Sequence, residues 1–202
     1  MLKKSNIFSV LLSIFFIQPI VLADDNYQIA KISSDKQIVQ KGENLVVSVE
    51  YDVSDGNKML SGIGIRIHYN SKNFDLLSFD YILEYGKISE EPNIIDEEDS
   101  FDDGDFETDK CIVMGWASIS SLWPMYDIPL EILRMTFQVK DTWVNTNPHT
   151  FFNLSQTSLS VGYDFKGFNR QITLYNPNSD INKDGITNLI DVIQVFKNLA
   201  DF

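Results

Sequence analysis

The chain has 202 residues, a formal net charge of −13 and a single cysteine. Such an acid excess excludes nucleic acid and anionic membrane surfaces as partners, because both need Lys and Arg to neutralise phosphate. One cysteine excludes an internal disulfide, so the fold must stand on its hydrophobic core, with any further help coming from metal.

At the N-terminus, Lys3 and Lys4 precede an apolar run from Ile7 to Ile17, which Gln18-Pro19 breaks. Val21-Leu22-Ala23 then places small or short residues at the −3 and −1 positions of a cleavage site before Asp24. The run is too short for a comfortable membrane span. Residues 1–23 therefore read as a signal peptide, and the protein as exported: secreted, cell-surface or periplasmic, with no stable membrane span after cleavage. No cysteine stands just after the cleavage site, where Asp24 lies, which argues against a lipoprotein. Losing Lys3 and Lys4 takes the formal charge from −13 to −15.

Residues 24–175 read as strands. In Glu43 to Val53, Leu45, Val47, Val49, Tyr51 and Val53 alternate with Val46, Ser48, Glu50 and Asp52. Ile63, Ile65, Ile67 and Tyr69 alternate with Gly64, Arg66 and His68, and Leu133, Met135, Phe137 and Val139 with Arg134, Thr136, Gln138 and Lys140. A period of two with one polar face marks strands that cover a core on one side only. Turn residues punctuate them at Ser54-Asp55-Gly56-Asn57, Asn70-Ser71-Lys72-Asn73 and Lys166-Gly167. The segment is about 150 residues long, enough for one well-filled domain. The pattern predicts an all-β fold, an antiparallel two-sheet β-sandwich.

An acidic tract, Asp96 to Asp109, interrupts the strands. So many carboxylates in one place repel one another unless water or a cation screens them. Two readings stand: a second calcium site with Asp102, Asp103, Asp105 and Asp109 as ligands, or a solvated loop.

Near the C-terminus, Asp180-Ile181-Asn182-Lys183-Asp184-Gly185-Ile186-Thr187-Asn188-Leu189-Ile190-Asp191 sets oxygen donors at positions 1, 3, 5, 9 and 12 of a twelve-residue loop. Gly185 stands at position 6, where the backbone turns sharply, and Ile186 at position 7 offers its carbonyl. A hard dication needs six to eight oxygens, and this spacing wraps the chain once around Ca²⁺. The expected ligands are Asp180, Asn182, Asp184, Ile186, Asn188 and Asp191. An exported chain meets calcium at levels that suit a weak site, with a dissociation constant of roughly 10⁻⁴ to 10⁻³ M. Thr187 stands where an N-cap would, and Leu189, Val192, Ile193, Phe196, Leu199 and Ala200 form the apolar stripe of a following helix.

The loop with its exiting helix, and no readable entering helix, resembles the calcium repeat of dockerin modules, which normally carry two such repeats where this chain has one. A second resemblance covers roughly Tyr27 to Leu174. Leu60-Ser61-Gly62-Ile63-Gly64-Ile65-Arg66-Ile67-His68-Tyr69 looks like an early strand of cohesin domains, as do Val113-Met114-Gly115-Trp116, Leu122-Trp123-Pro124, the run Pro129 to Phe137 and Ser160 to Phe165. That resemblance implies a jelly-roll sandwich akin to cohesins and cellulose-binding modules, followed over residues 176–202 by a dockerin-type repeat. It implies a binder and not an enzyme.

Chemistry-bearing residues are few. His68 lies on the polar face of its strand and His149 in a loop after Pro148, too little imidazole for a histidine-based zinc site or triad. Cys111 begins an apolar strand and reads as a core residue. Two functions follow, both non-catalytic: a protein-interaction module that assembles with an exported dockerin- or cohesin-bearing partner, or a carbohydrate-binding module of a polysaccharide-degrading system. For the second, Trp123, Tyr126 and Trp143 fall in loop-like sequence and are candidates for a sugar platform, with burial the default for each ring.

Overall fold

In the computed structural model, residues 26–98, 101, 103–140, 148–175, 181–182 and 188–200 are described. The signal segment, Trp143, Asp102, Asp180, Asp184 and Ile186 lie outside them.

Among the described residues there are thirteen strands, the longer ones alternating apolar and polar residues, and one helix. They are β1 (Tyr27–Ser34), β2 (Ile38–Gln40), β3 (Asn44–Val53), β4 (Met59–Leu60), β5 (Gly62–Tyr69), β6 (Phe74–Ile82), β7 (Asn93–Asp96), β8 (Lys110–Ala117), β9 (Trp123–Pro124), β10 (Leu130–Val139), β11 (His149–Ser158), β12 (Asp164–Phe168), β13 (Arg170–Tyr175) and α1 (Leu189–Ala200). One sheet has the order β12-β1-β3-β10-β6, the other β2-β13-β11-β5-β8-β7, and β4 with β9 makes a two-stranded ribbon. The two large sheets form the sandwich that the sequence pattern predicts.

Pairing is antiparallel except at two places. β12 runs parallel to β1, and β2 parallel to β13. Both exceptions come from strands that change sheets: the chain leaves β1 in one sheet for β2 in the other, and leaves β12 for β13 across Asn169. The Asn169 side chain accepts the Leu154 N–H at 2.9 Å at that corner. These crossovers tie the two sheets together along one side.

The inward residues of β3 (Leu45, Val47, Val49, Tyr51, Val53), β5 (Ile63, Ile65, Ile67, Tyr69) and β10 (Leu133, Met135, Phe137, Val139) are all buried. Phe137 centres an aromatic cluster, with ring centroids 4.9 Å from Phe152, 5.3 Å from Tyr69 and 6.1 Å from Phe74. Gln28, a buried polar side chain, is paired on both its oxygen and its nitrogen. Gln28 donates from Nε2 to the Tyr51 hydroxyl at 2.7 Å and the Gly62 carbonyl at 3.0 Å, and accepts the Ser160 N–H at 2.6 Å. Gly62 has to be glycine. Its φ is +136°, and a Cβ there would stand 2.0 Å from the Trp116 carbonyl oxygen.

Three local expectations change. Lys166-Gly167 lies within β12, paired with Ile29 and Ala30, and is not a turn; glycine stands there where a Cβ would press on Phe165 and Leu154. His149 opens β11, opposite Thr173, and is not in a loop. His68 and Cys111 face each other across β5 and β8 on the outer side of the six-stranded sheet, yet both are fully buried. The acidic tract covers them, so Cys111 is buried outside the core between the sheets.

Candidate functional site

Three places carry functional groups: a groove on the five-stranded sheet, the acidic tract, and the C-terminal loop.

The groove depends on an irregularity of β10. In a regular strand Glu131 and Arg134, three apart, would point to opposite faces. A bulge between Glu131 and Leu133 inserts Ile132 and shifts the parity, so both charged side chains reach the outer face. Arg134 Nε then donates to Glu131 Oε1 at 2.8 Å, and Ser48 donates to the same oxygen at 2.7 Å. Partial burial pushes the Glu131 carboxyl up, but the bonds from Arg134 and Ser48 outweigh it and hold the group below its usual range. Tyr81, Leu83, Glu84, Tyr126 and Leu130 complete a cavity of about 610 Å³. Tyr85 and Tyr126 meet edge to face, with planes crossing at 85°.

Exposed apolar side chains precede Tyr126 along the chain. Tyr126, Met125 and Leu122 are 49%, 61% and 44% exposed, and Met59, opposite Pro124 on the ribbon, is 66% exposed. Met125 holds φ = 69°, a region that non-glycine residues seldom occupy without a surrounding structure that enforces it.

The tract lies across β5 and β8. Arg66 sits 4.8 Å from the Phe101 ring centroid, the Glu97 N–H bonds the Asp109 carbonyl at 3.1 Å, and the Asp109 N–H bonds the Tyr69 carbonyl at 3.2 Å. Of the proposed ligands there, Asp103 and Asp105 converge: Asn153 Nδ2 donates to Asp103 Oδ2 at 2.8 Å and to Asp105 Oδ2 at 3.2 Å. Asp109 instead takes the Ser71 N–H at 2.6 Å and the Ser71 hydroxyl at 3.0 Å, fastening the turn after β5. The residues that join Asp103 most closely are His68 and Glu97, which the sequence pattern did not single out. The missing signal was the strand register. Burial, reinforced by the Glu97 carboxylate, pushes the Cys111 thiol up to about 11. At neutral pH the native thiol should therefore react with a thiol reagent on the order of 100-fold more slowly than in denaturant. Equal labelling rates in the two conditions would refute this burial.

In the C-terminal loop, Asn182, Asn188 and Asp191 are described. Asp191 is buried, with Oδ1 accepting the N–H groups of Ile181 (2.8 Å) and Asn182 (3.2 Å), and Oδ2 that of Asn188 (2.7 Å). The position-12 carboxylate thus bridges the start of the loop to its end. The expected donors are carboxylate, amide and carbonyl oxygens, the atoms that Ca²⁺ takes. In α1 the apolar stripe is uncovered, with Ile193 44%, Phe196 66% and Leu199 64% exposed.

Among the Trp and Tyr candidates for a sugar platform, Trp123 is fully buried 4.4 Å from the Tyr51 ring, while Tyr126 lines the groove. Trp116 is buried and donates to the Leu83 carbonyl at 2.8 Å.

Solved structures that this chain is similar to include cohesin modules. One is the cohesin module of a family 33 glycoside hydrolase from Clostridium perfringens: 11% identity, TM-score 0.44, covering 74% of this chain and 97% of that one. The seventh ScaB type I cohesin of Pseudobacteroides cellulosolvens is similar at 14% identity and TM-score 0.45, covering 73% of this chain and 92% of that one. A cohesin from Clostridium acetobutylicum is similar at 12% identity and TM-score 0.46, with the same two coverages. No protein-family model matches the sequence, and no curated protein does. Identities this low leave the ligand unspecified.

Proposed function

We propose that this is an exported, non-catalytic binding protein that takes a partner protein along the strip from Tyr81 through Tyr126 and Met125 to Met59, and calcium in its C-terminal loop. The observation that carries the reading is the groove between β6 and β10. It sets Tyr81 and Tyr126 beside a positioned Arg–Glu pair, and the chain leading into Tyr126 carries exposed Leu122 and Met125, with exposed Met59 paired to Pro124. Aromatic, Met and Arg side chains around an apolar centre are the composition of protein interfaces. A sugar platform needs rings in one plane. Here Tyr85 and Tyr126 stand nearly perpendicular, and Trp116 and Trp123 are in the core. The sequence resemblance makes a dockerin-bearing exported protein the first partner class to try.

The test immobilises the chain from Asp24 and measures binding to a panel of dockerin modules and to insoluble cellulose and xylan. Tyr126→Ala should weaken binding of the protein partner by about 30-fold, the effect of losing one interface hot spot. Binding to polysaccharide alone would replace this reading with the carbohydrate one. Unchanged affinity in Tyr126→Ala would move the interface off this strip.

A further inference from the structure

The outer face of the six-stranded sheet brings together three groups from distant parts of the sequence. One ligand atom from each of His68 (β5), Glu97 (after β7) and Asp103 (acidic tract) lies within 4.8 Å of the other two. The His68 side chain is fully buried and that of Glu97 only 8% exposed. Glu97 Oε1 lies 2.9 Å from His68 Nδ1 and accepts the Asp103 N–H at 3.1 Å. Its other oxygen, Oε2, is buried and meets no donor. A carboxylate oxygen withdrawn from water without a partner is unfavourable, and a cation supplies what it lacks.

The surroundings orient the three groups as outer-shell partners orient metal ligands. His68 Nε2 is 2.7 Å from the Ser155 hydroxyl. With the proton on Nε2 and donated to Ser155, Nδ1 keeps a lone pair that faces the carboxylates. Asp103 Oδ1 accepts from the Asp105 N–H at 2.9 Å and the Thr108 hydroxyl at 3.0 Å, while Oδ2 accepts from Asn153. Neutral imidazole and two carboxylates bring a charge of −2, which a dication cancels amid the tract's other acids.

We propose that His68, Glu97 and Asp103 form a site for a first-row transition dication of the zinc type, which fastens the acidic tract to the sheet. Imidazole nitrogen selects such ions over calcium, whose ligands are oxygens. Zinc takes His, Glu and Asp at about 2.0–2.2 Å, which sets tetrahedral ligand edges near 3.3 Å. The gap between Nδ1 and Oε1 needs to open by only a few tenths of an ångström. Three protein ligands leave a fourth position for water. This site is separate from the calcium loop and from the groove.

Equilibrium dialysis of the chain from Asp24 against Zn²⁺, with metal content read by mass spectrometry, tests it. One zinc per chain should bind in the presence of excess Ca²⁺, and equally in the double variant Asp180→Ala, Asp184→Ala. His68→Gln should weaken zinc at least 100-fold and abolish the visible absorption of the Co²⁺-substituted protein, with far-UV circular dichroism checking the fold. Should His68→Gln not fold, Glu97→Gln decides, since it keeps the side-chain shape and one oxygen while removing the charge. Zinc should also slow proteolysis within residues 97–109, where Ca²⁺ does not. Folded protein that retains no zinc, or a folded Glu97→Gln or His68→Gln variant that retains it as tightly as wild type, would overturn the site.

Discussion

Phe137→Ala should destabilise the sandwich by about 4 kcal/mol, within the range for deleting a buried Phe side chain. Phe137 lies on β10 in one sheet, but its ring meets Tyr69 and Phe152 from the other, and Phe74 from its own. All four are buried. Removing the ring therefore leaves a cavity lined by groups that two separate sheets hold in place and that cannot collapse together. For a domain of this size the melting temperature should fall by about 12 °C. Denaturant unfolding gives the direct measure, with the midpoint lowered and the slope unchanged. The fully solvated ring of Phe106, 93% exposed, serves as the control, and its replacement by Ala should stay within about 0.5 kcal/mol. A loss below about 1 kcal/mol for Phe137→Ala would mean that this cluster is not the centre of the core.

The double variant Asp180→Ala, Asp184→Ala should lose calcium binding altogether while the sandwich stays folded. α1 has twelve residues, a length that is marginal for an isolated helix in water, and its apolar stripe is exposed. Its first turn is fastened through Asp191, whose carboxylate holds the N–H groups of Ile181, Asn182 and Asn188. Calcium among Asp180, Asp184 and Asp191 would remove their mutual repulsion and lock the same turn. At ten times its dissociation constant the ion stabilises the bound state by about 1.4 kcal/mol. Hydrogen exchange should then report less protection from Asn188 onward in the double variant, and unchanged protection in β3, β5 and β10. Isothermal titration supplies the decisive number, since equal calcium binding in wild type and variant would remove the loop from consideration.

Strands β3, β5 and β10 were legible within a residue or three of their limits, because in each the residues that face the core are apolar and alternate with polar or small ones. A period of two is then imposed on the sequence itself, as in Leu45, Val47, Val49, Tyr51 and Val53. The helix at Leu189 was legible from an apolar stripe at a different period, although that stripe is exposed. The groove was not. It exists because a bulge at Ile132 puts Glu131 and Arg134 on one face, and a bulge has no signature in a pattern that reads apolar on both sides of it. The sheet-changing strands, and with them the two parallel pairs, were likewise invisible, since partner choice is not a local property.

Sequence alone determined what depends on neighbours along the chain: the alternating faces, the turns at Ser54–Asn57 and Asn70–Asn73, the oxygen spacing of the terminal loop and the net acidity. Tertiary structure decided what depends on register between strands. His68 reads as a solvated polar residue when β5 is taken by itself. Pairing with Cys111 on β8 and cover from the tract bury it against Glu97, 29 positions away, with Asp103 completing the cluster. The calcium-loop reading comes from local spacing because one short segment would supply every ligand, whereas a cluster assembled from three segments appears only when the sheet has formed.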